Sequence, residues 1–147
     1  MNKELARDIG ILIGRLGVGF VLLAYGWQKL ADWGVSGTAE IMAGGGVPMP
    51  MVSAYIATFV ELAAGTAFIV GAAMPLAGLA AAGTMAGAFL FVHMGSGVYV
   101  DQNGWGFVLV IGVSCLMLAA TGSGRFGIDP LVASRFRDRR KAPAHST

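Results

Sequence analysis

The sequence predicts an all-α integral membrane protein, a four-helix bundle, and three observations carry that expectation. Of 147 residues, 56% are hydrophobic and only 12% are charged, with a mean hydropathy of +0.71; a soluble domain carries roughly 25% charged residues. Four apolar runs, at 9–30, 51–72, 74–94 and 105–121, each approach the ~20 residues with which a helix crosses ~30 Å of hydrocarbon. None shows the period-two alternation of a membrane β-barrel strand. One transmembrane domain, 1–132, is expected, followed by a basic cytoplasmic tail, 133–147.

The first run follows a basic start, Lys3 and Arg7, but Arg15 interrupts it and no small-x-small cleavage site precedes the polar segment. It reads as a retained helix rather than a signal peptide. Gly10, Gly14 and Gly17 share one of its faces, a pattern that lets helix backbones approach closely in lipid. A long loop, Ala31–Pro50, follows, rich in glycine and proline (Gly44, Gly45, Gly46, Pro48, Pro50). The second run carries Glu61. Ala73, Met74 and Pro75 make a tight hairpin into the third, with Pro75 suited to a first helical turn. Gly83 and Gly87 form a GxxxG on that third helix. A polar loop, Gly95–Gly104, leads to the fourth and shortest run.

Basic residues set the orientation. Eight of the ten lie near the two ends of the chain, from Lys3 and Arg7 to Arg125 and the cluster Arg135–Lys141. The positive-inside rule then places both termini in the cytoplasm of a bacterial cell, consistent with an even number of spans. Trp27, Trp33 and Trp105 fall near the opposite ends of helices, where indoles favour the headgroup level. The basic tail suits anionic lipid, so the net charge of +2 is no footprint for nucleic acid. The lipid bilayer is the first partner expected.

Arg15 and Glu61 are the charges set deep in apolar runs, where a charge costs roughly 2.5–3.5 kcal/mol on insertion scales and seeks a partner. By helical rise Arg15 lies roughly 9 Å, and Glu61 roughly 16 Å, from the cytoplasmic side. An ion pair between them is therefore expected, serving either as a structural lock or with Glu61 as a proton-relay carboxylate. A second group gathers at the outer ends of the helices: Tyr25 and Lys29 close helix one, and His93 closes helix three. Together these side chains suit the carbonyls of a quinone-like ligand, with His93 able to exchange a proton.

Other chemistries find little support. Cys115 is alone, so no intrachain disulfide or C-x-x-C forms. The second histidine, His145, lies in the tail on the opposite side from His93, which argues against haem. No metal site and no resident cofactor are expected. The helix glycines lack the strand–turn–helix context of a dinucleotide fingerprint.

The chain resembles the DoxX family of small four-helix membrane proteins. The resemblance rests on Arg15-Leu16, Gly26-Trp27-Gln28-Lys29-Leu30, Gly46-Val47-Pro48, Val60-Glu61-Leu62-Ala63-Ala64-Gly65, Met85 with His93, Asn103-Gly104-Trp105 and Gly122 to Asp129, in order. The family often has His where Tyr25 stands and an acidic residue where Gly106 stands. Founding members resemble a subunit of a thiosulfate:quinone oxidoreductase. The resemblance thus implies a subunit of a membrane oxidoreductase assembly, with protein partners or self-association and a quinone site near the outer face. The alternative is a non-catalytic scaffold or accessory subunit of a larger complex.

Overall fold

The computed structural model describes residues 2–141, and every regular element among them is helical. The first helix, α1 (Lys3–Trp27), is capped by Asn2, whose side chain accepts from the Glu4 amide at 3.3 Å. It runs without a break into a π-helical turn, Gln28–Asp32, giving 30 helical residues. That is about 45 Å at the α-helical rise. Gly34, at φ +71, then turns the chain into α2 (Gly34–Gly44). The stretch 31–50, expected as a loop, thus contains a helix, and it packs chiefly on α3 (Pro50–Val70). Thr38 and Ala39 are the buried residues of α2.

After the hairpin, α4 (Met74–Ala88) ends in a second π-helical turn, Phe89–His93. A 12-residue connection, 94–105, with a 3-10 turn at Val100–Gln102 and stabilised by Gly104 N–H to Tyr99 O (2.8 Å) and Trp105 N–H to Gly97 O (3.1 Å), leads to α5 (Gly106–Thr121). The segments 3–32, 50–70 and 74–93 are long and apolar enough to cross a membrane. With its 16 residues α5 spans about 24 Å and is the short member of the bundle. A final helix, α6 (Ile128–Lys141), crosses residue 132, so the expected boundary between domain and tail falls inside one helix. His145 and the end of the tail, 142–147, lie outside the described residues.

The helices pack as two close pairs, α1 on α3 and α4 on α5, joined where α3 meets α4. Small residues make both pairs. A Cβ on Gly65 would stand 2.9 Å from Gly19 O and from Leu23 N, and one on Gly78 would stand 2.6 Å from Cys115 O. Backbones approach this closely only where side chains are missing. The glycines expected to do this do not: Gly10, Gly17, Gly83 and Gly87 have open space at the Cβ position, and Gly14 makes only an ordinary contact with Leu118 at 3.9 Å. Between the pairs lies an apolar core of Leu22, Ala64, Phe68, Met74, Cys115 and Leu118 with their neighbours.

Arg15 is 1% exposed, yet it does not meet Glu61. Its Nε donates to Phe68 O (2.8 Å), Nη2 to Ile69 O (3.0 Å) and Nη1 to Ser123 O (2.7 Å). Phe68 and Ile69 stand in the last turn of α3, whose carbonyls have no intrahelical donor and carry the negative end of the helix dipole. The antiparallel register, with Gly19 beside Gly65, brings Arg15 to that turn and leaves Glu61 about two turns away. The expected Arg15–Glu61 pair is therefore replaced by a guanidinium cap.

The same end carries a second cap. Asp129, in the first turn of α6, accepts from the Ala73 N–H (2.8 Å) and Met74 N–H (3.2 Å), the donors that open α4. Its own N–H donates to Gly71 O at 3.0 Å. Gly71 has φ +73, and a Cβ there would collide with the Arg15 guanidinium and with Gly127. Arg15, Gly71 and Asp129 thereby fasten the α3–α4 hairpin to the segment that follows α5.

Candidate functional site: a cavity at the loop end of the bundle

The end of the bundle away from residue 2 and α6 holds the α1–α2 and α4–α5 connections. A cavity of about 760 Å³ opens there, walled by α1 to α5. Its walls are mostly apolar, including Leu22, Ile41, Val60, Phe107 and Ile111. Gly83 and Gly87 line it on α4, which gives their GxxxG a different role from the one expected: the missing side chains enlarge the cavity rather than seat a helix.

Four residues singled out by the sequence meet at this cavity: Tyr25, Lys29, Glu61 and His93. Glu61 and Lys29 form the ion pair that Arg15 does not, with Lys29 Nζ 2.7 Å from Glu61 Oε2. The side chains are 4% and 13% exposed, respectively. Gly26 makes room for it, since a Cβ there would stand 2.8 Å from the Leu62 side chain. The α3 backbone thus presses against α1 one turn below Lys29. The ammonium also donates to Tyr25 O at 3.4 Å and lies 5.4 Å from the centre of the Tyr25 ring. Two of its three N–H groups are therefore engaged. Glu61 Oε1 accepts no hydrogen bond among the described residues and is not one of the fully enclosed atoms, so it faces the cavity.

His93 stands in the π turn that ends α4. Its Nδ1 lies 2.8 Å from Asn103 O. A carbonyl only accepts, so Nδ1 carries the hydrogen and Nε2 of the neutral ring is left as an acceptor. Lys29 lies in the other π turn, at the end of α1. π-helical turns recur at functional sites, and here each forms the last turn of its helix. Aromatic rings complete this end: Tyr25 packs on Phe107 (centroids 5.4 Å apart) and Phe89 meets Trp105 edge-on (5.8 Å).

Sequence reasoning missed Thr38 and Thr58. Thr38 Oγ1 donates to Gly34 O (3.0 Å) and lies 3.3 Å from Lys29 O, which ties α2 to the π turn carrying Lys29. Thr58 is fully buried one turn from Glu61, and its Oγ1 is the enclosed side-chain polar atom without a partner among the described residues. Neither has a local signal, because threonine in an apolar helix usually bonds its own backbone, as Thr66 and Thr121 do here. Among the described residues no three His, Cys, Asp or Glu side chains gather as metal ligands.

Comparison with known proteins agrees with this architecture. The sequence model of the DoxX family matches residues 10–94, which include Arg15, Tyr25, Lys29, Glu61 and His93. The Escherichia coli inner membrane protein YphA is 34% identical over 139 residues, covering 84% of this chain and 91% of its own. A second Escherichia coli inner membrane protein, YqjF, is 32% identical over 131 residues, covering 88% and 97%. CatD of Bacillus subtilis, provisionally named an oxidoreductase, is 28% identical over 132 residues, covering 90% and 92%. No solved structure matches the chain significantly. With the family match spanning more than half its length, and two relatives above 30% identity along nearly all of it, the chain belongs to the DoxX family.

Proposed function

We propose that the chain is a subunit of an inner-membrane oxidoreductase assembly that holds a quinone in the loop-end cavity, with both termini cytoplasmic and the cavity on the outer side. The convergence of Tyr25, Lys29, Glu61 and His93 on one apolar cavity of about 760 Å³ carries this reading. Such a volume falls within the ~300–1,000 Å³ of small-molecule sites, which combine apolar walls with a few placed polar groups. The inner-membrane names of YphA and YqjF and the provisional oxidoreductase name of CatD support it.

A quinone is flat and apolar, with two carbonyl oxygens that only accept hydrogen bonds, and when bound it supplies a two-electron, two-proton couple. Lys29 keeps one N–H for a carbonyl oxygen. Pairing with Glu61 makes the two side chains neutral together, which suits an uncharged ligand. Tyr25 and Phe107 offer ring faces. His93 Nε2 and Glu61 Oε1 can each take or return a proton. Electrons arrive from the redox centre of a partner subunit in this reading. Short-chain quinones should raise the melting temperature of the protein in detergent, by about 2.7 kcal/mol of stabilisation at a hundredfold excess over Kd. Lys29→Met and His93→Phe should remove that shift.

A scaffold or accessory role within a larger complex is the second reading, and the Lys29–Glu61 contact favours it. The contact satisfies both charges without a ligand and clamps α1 to α3. Absence of a shift with every quinone head group would leave that reading.

A further inference from the structure

We propose that Glu61 exchanges its proton with the loop end of the bundle alone, so that the cavity is a half-channel closed toward the termini. The inference rests on the cavity and the packing beneath it and holds whatever ligand the cavity takes.

Glu61 is the deepest lining residue on α3. The lining residues reach no deeper than Val21 on α1, Ala80 on α4 and Ile111 on α5. Toward the loops the lining opens, with Tyr25, Trp33 and Val100 exposed; deep in the cavity Leu22, Glu61 and Ile111 are buried, while Ala80 is exposed on the flank of an apolar helix, at a depth where lipid rather than water lies outside. Beneath the floor, Phe68, Met74 and Cys115 are wholly buried and pack with Ala64 and Leu118 in one apolar layer. A buried water needs two to four polar partners, and these side chains offer none for a proton-carrying chain of waters.

Beneath that layer lies Arg15. Its guanidinium is held by three backbone carbonyls, so its charge is fixed in place; Asp129, held by the Ala73 and Met74 amides, is the nearby carboxylate and is not at hydrogen-bond distance from it. A fixed cation in a low-dielectric interior repels an approaching proton. The route from the termini is thus closed by the dry layer, with the fixed guanidinium beneath it.

On the open side the step is simple. A proton from water in the cavity adds to Oε1 of Glu61, the carboxylate becomes a carboxylic acid, and Lys29 keeps its charge; release reverses it, and no electron moves. The titratable groups that face this space are Tyr25 and Lys29 from α1 and His93 from the end of α4, while α2 and α5 contribute none to the lining.

The test uses the whole protein in liposomes in one orientation, scored with a terminal tag, and the pH set separately on each side. The probe is dicyclohexylcarbodiimide, which crosses lipid and reacts with protonated carboxyl groups in apolar surroundings; mass spectrometry reads the adduct at Glu61, with Glu61→Gln as background. The adduct rate should rise about tenfold per unit fall in loop-side pH while the carboxyl is ionised. It should not respond to pH on the side of the termini. A rate that follows the termini side, both sides or neither overturns the proposal.

Discussion

Lys29 on α1 and Glu61 on α3 are joined at 2.7 Å, and this contact, rather than one between Arg15 and Glu61, pairs the buried carboxylate. It bridges one of the two close helix pairs in the wall of the cavity, so one contact bears both on the fold and on the site.

The two residues should be energetically coupled. Losing one partner of a buried pair strands the other, at about 3 kcal/mol or more. Lys29→Met and Glu61→Gln should each lower stability in detergent, and the double substitution should cost less than the sum. Additive losses measured by chemical denaturation would show that the pair does not exist in the folded protein.

Arg15 should be coupled to the hairpin instead. Arg15→Gln removes a charged donor set from three carbonyls, a loss of about 3 kcal/mol or more. Glu61→Gln should not relieve it. Arg15→Lys should recover only part, since an ammonium lacks the planar fork that reaches all three oxygens. Relief of the Arg15→Gln loss by Glu61→Gln would restore the direct pairing that the structure replaces.

The apolar segments were legible because the bilayer fixes their length: runs at 51–72, 74–94 and 105–121 became helices at 50–70, 74–93 and 106–121. The α2 helix was not, because 31–50 is rich in glycine and proline, and its contact with α3 is tertiary. Arg15 was mispaired for a related reason. A depth argument matches charge with charge, whereas the register set by Gly19 and Gly65 offers the guanidinium unpaired carbonyls first. Tyr25, Lys29 and His93 were legible as a group because all three close helices at one end. The π turns that carry Lys29 and His93 leave no pattern in the sequence.

Glycines should divide by contact rather than by motif. Gly65→Ala forces α1 and α3 apart and should destabilise by about 1–3 kcal/mol, the usual cost of overpacking. Gly83→Ala and Gly87→Ala meet nothing and should be neutral or stabilise by about 0.5–1 kcal/mol. Thermal melts of the three variants check this; equal losses at all three positions would contradict the packing described.

Both termini should face the cytoplasm. Ser36 and Ser134 are exposed, and Cys115 is fully buried, so cysteines introduced at the two serines report alone. In intact cells an impermeant thiol reagent should modify Ser36→Cys and spare Ser134→Cys. The reverse pattern would invert the orientation.

The quinone cavity is the central claim, and photoaffinity labelling with a short-chain azidoquinone tests it most directly. Light-induced adducts should map to α1 near Tyr25–Lys29, to α3 near Glu61 and to the end of α4 near His93, and excess unlabelled quinone should compete them away. Gly87→Leu, which fills the cavity from a position with open space around it, should abolish them while the protein stays folded. Adducts confined to the outer, lipid-facing surface, or undiminished in Gly87→Leu, would contradict the account.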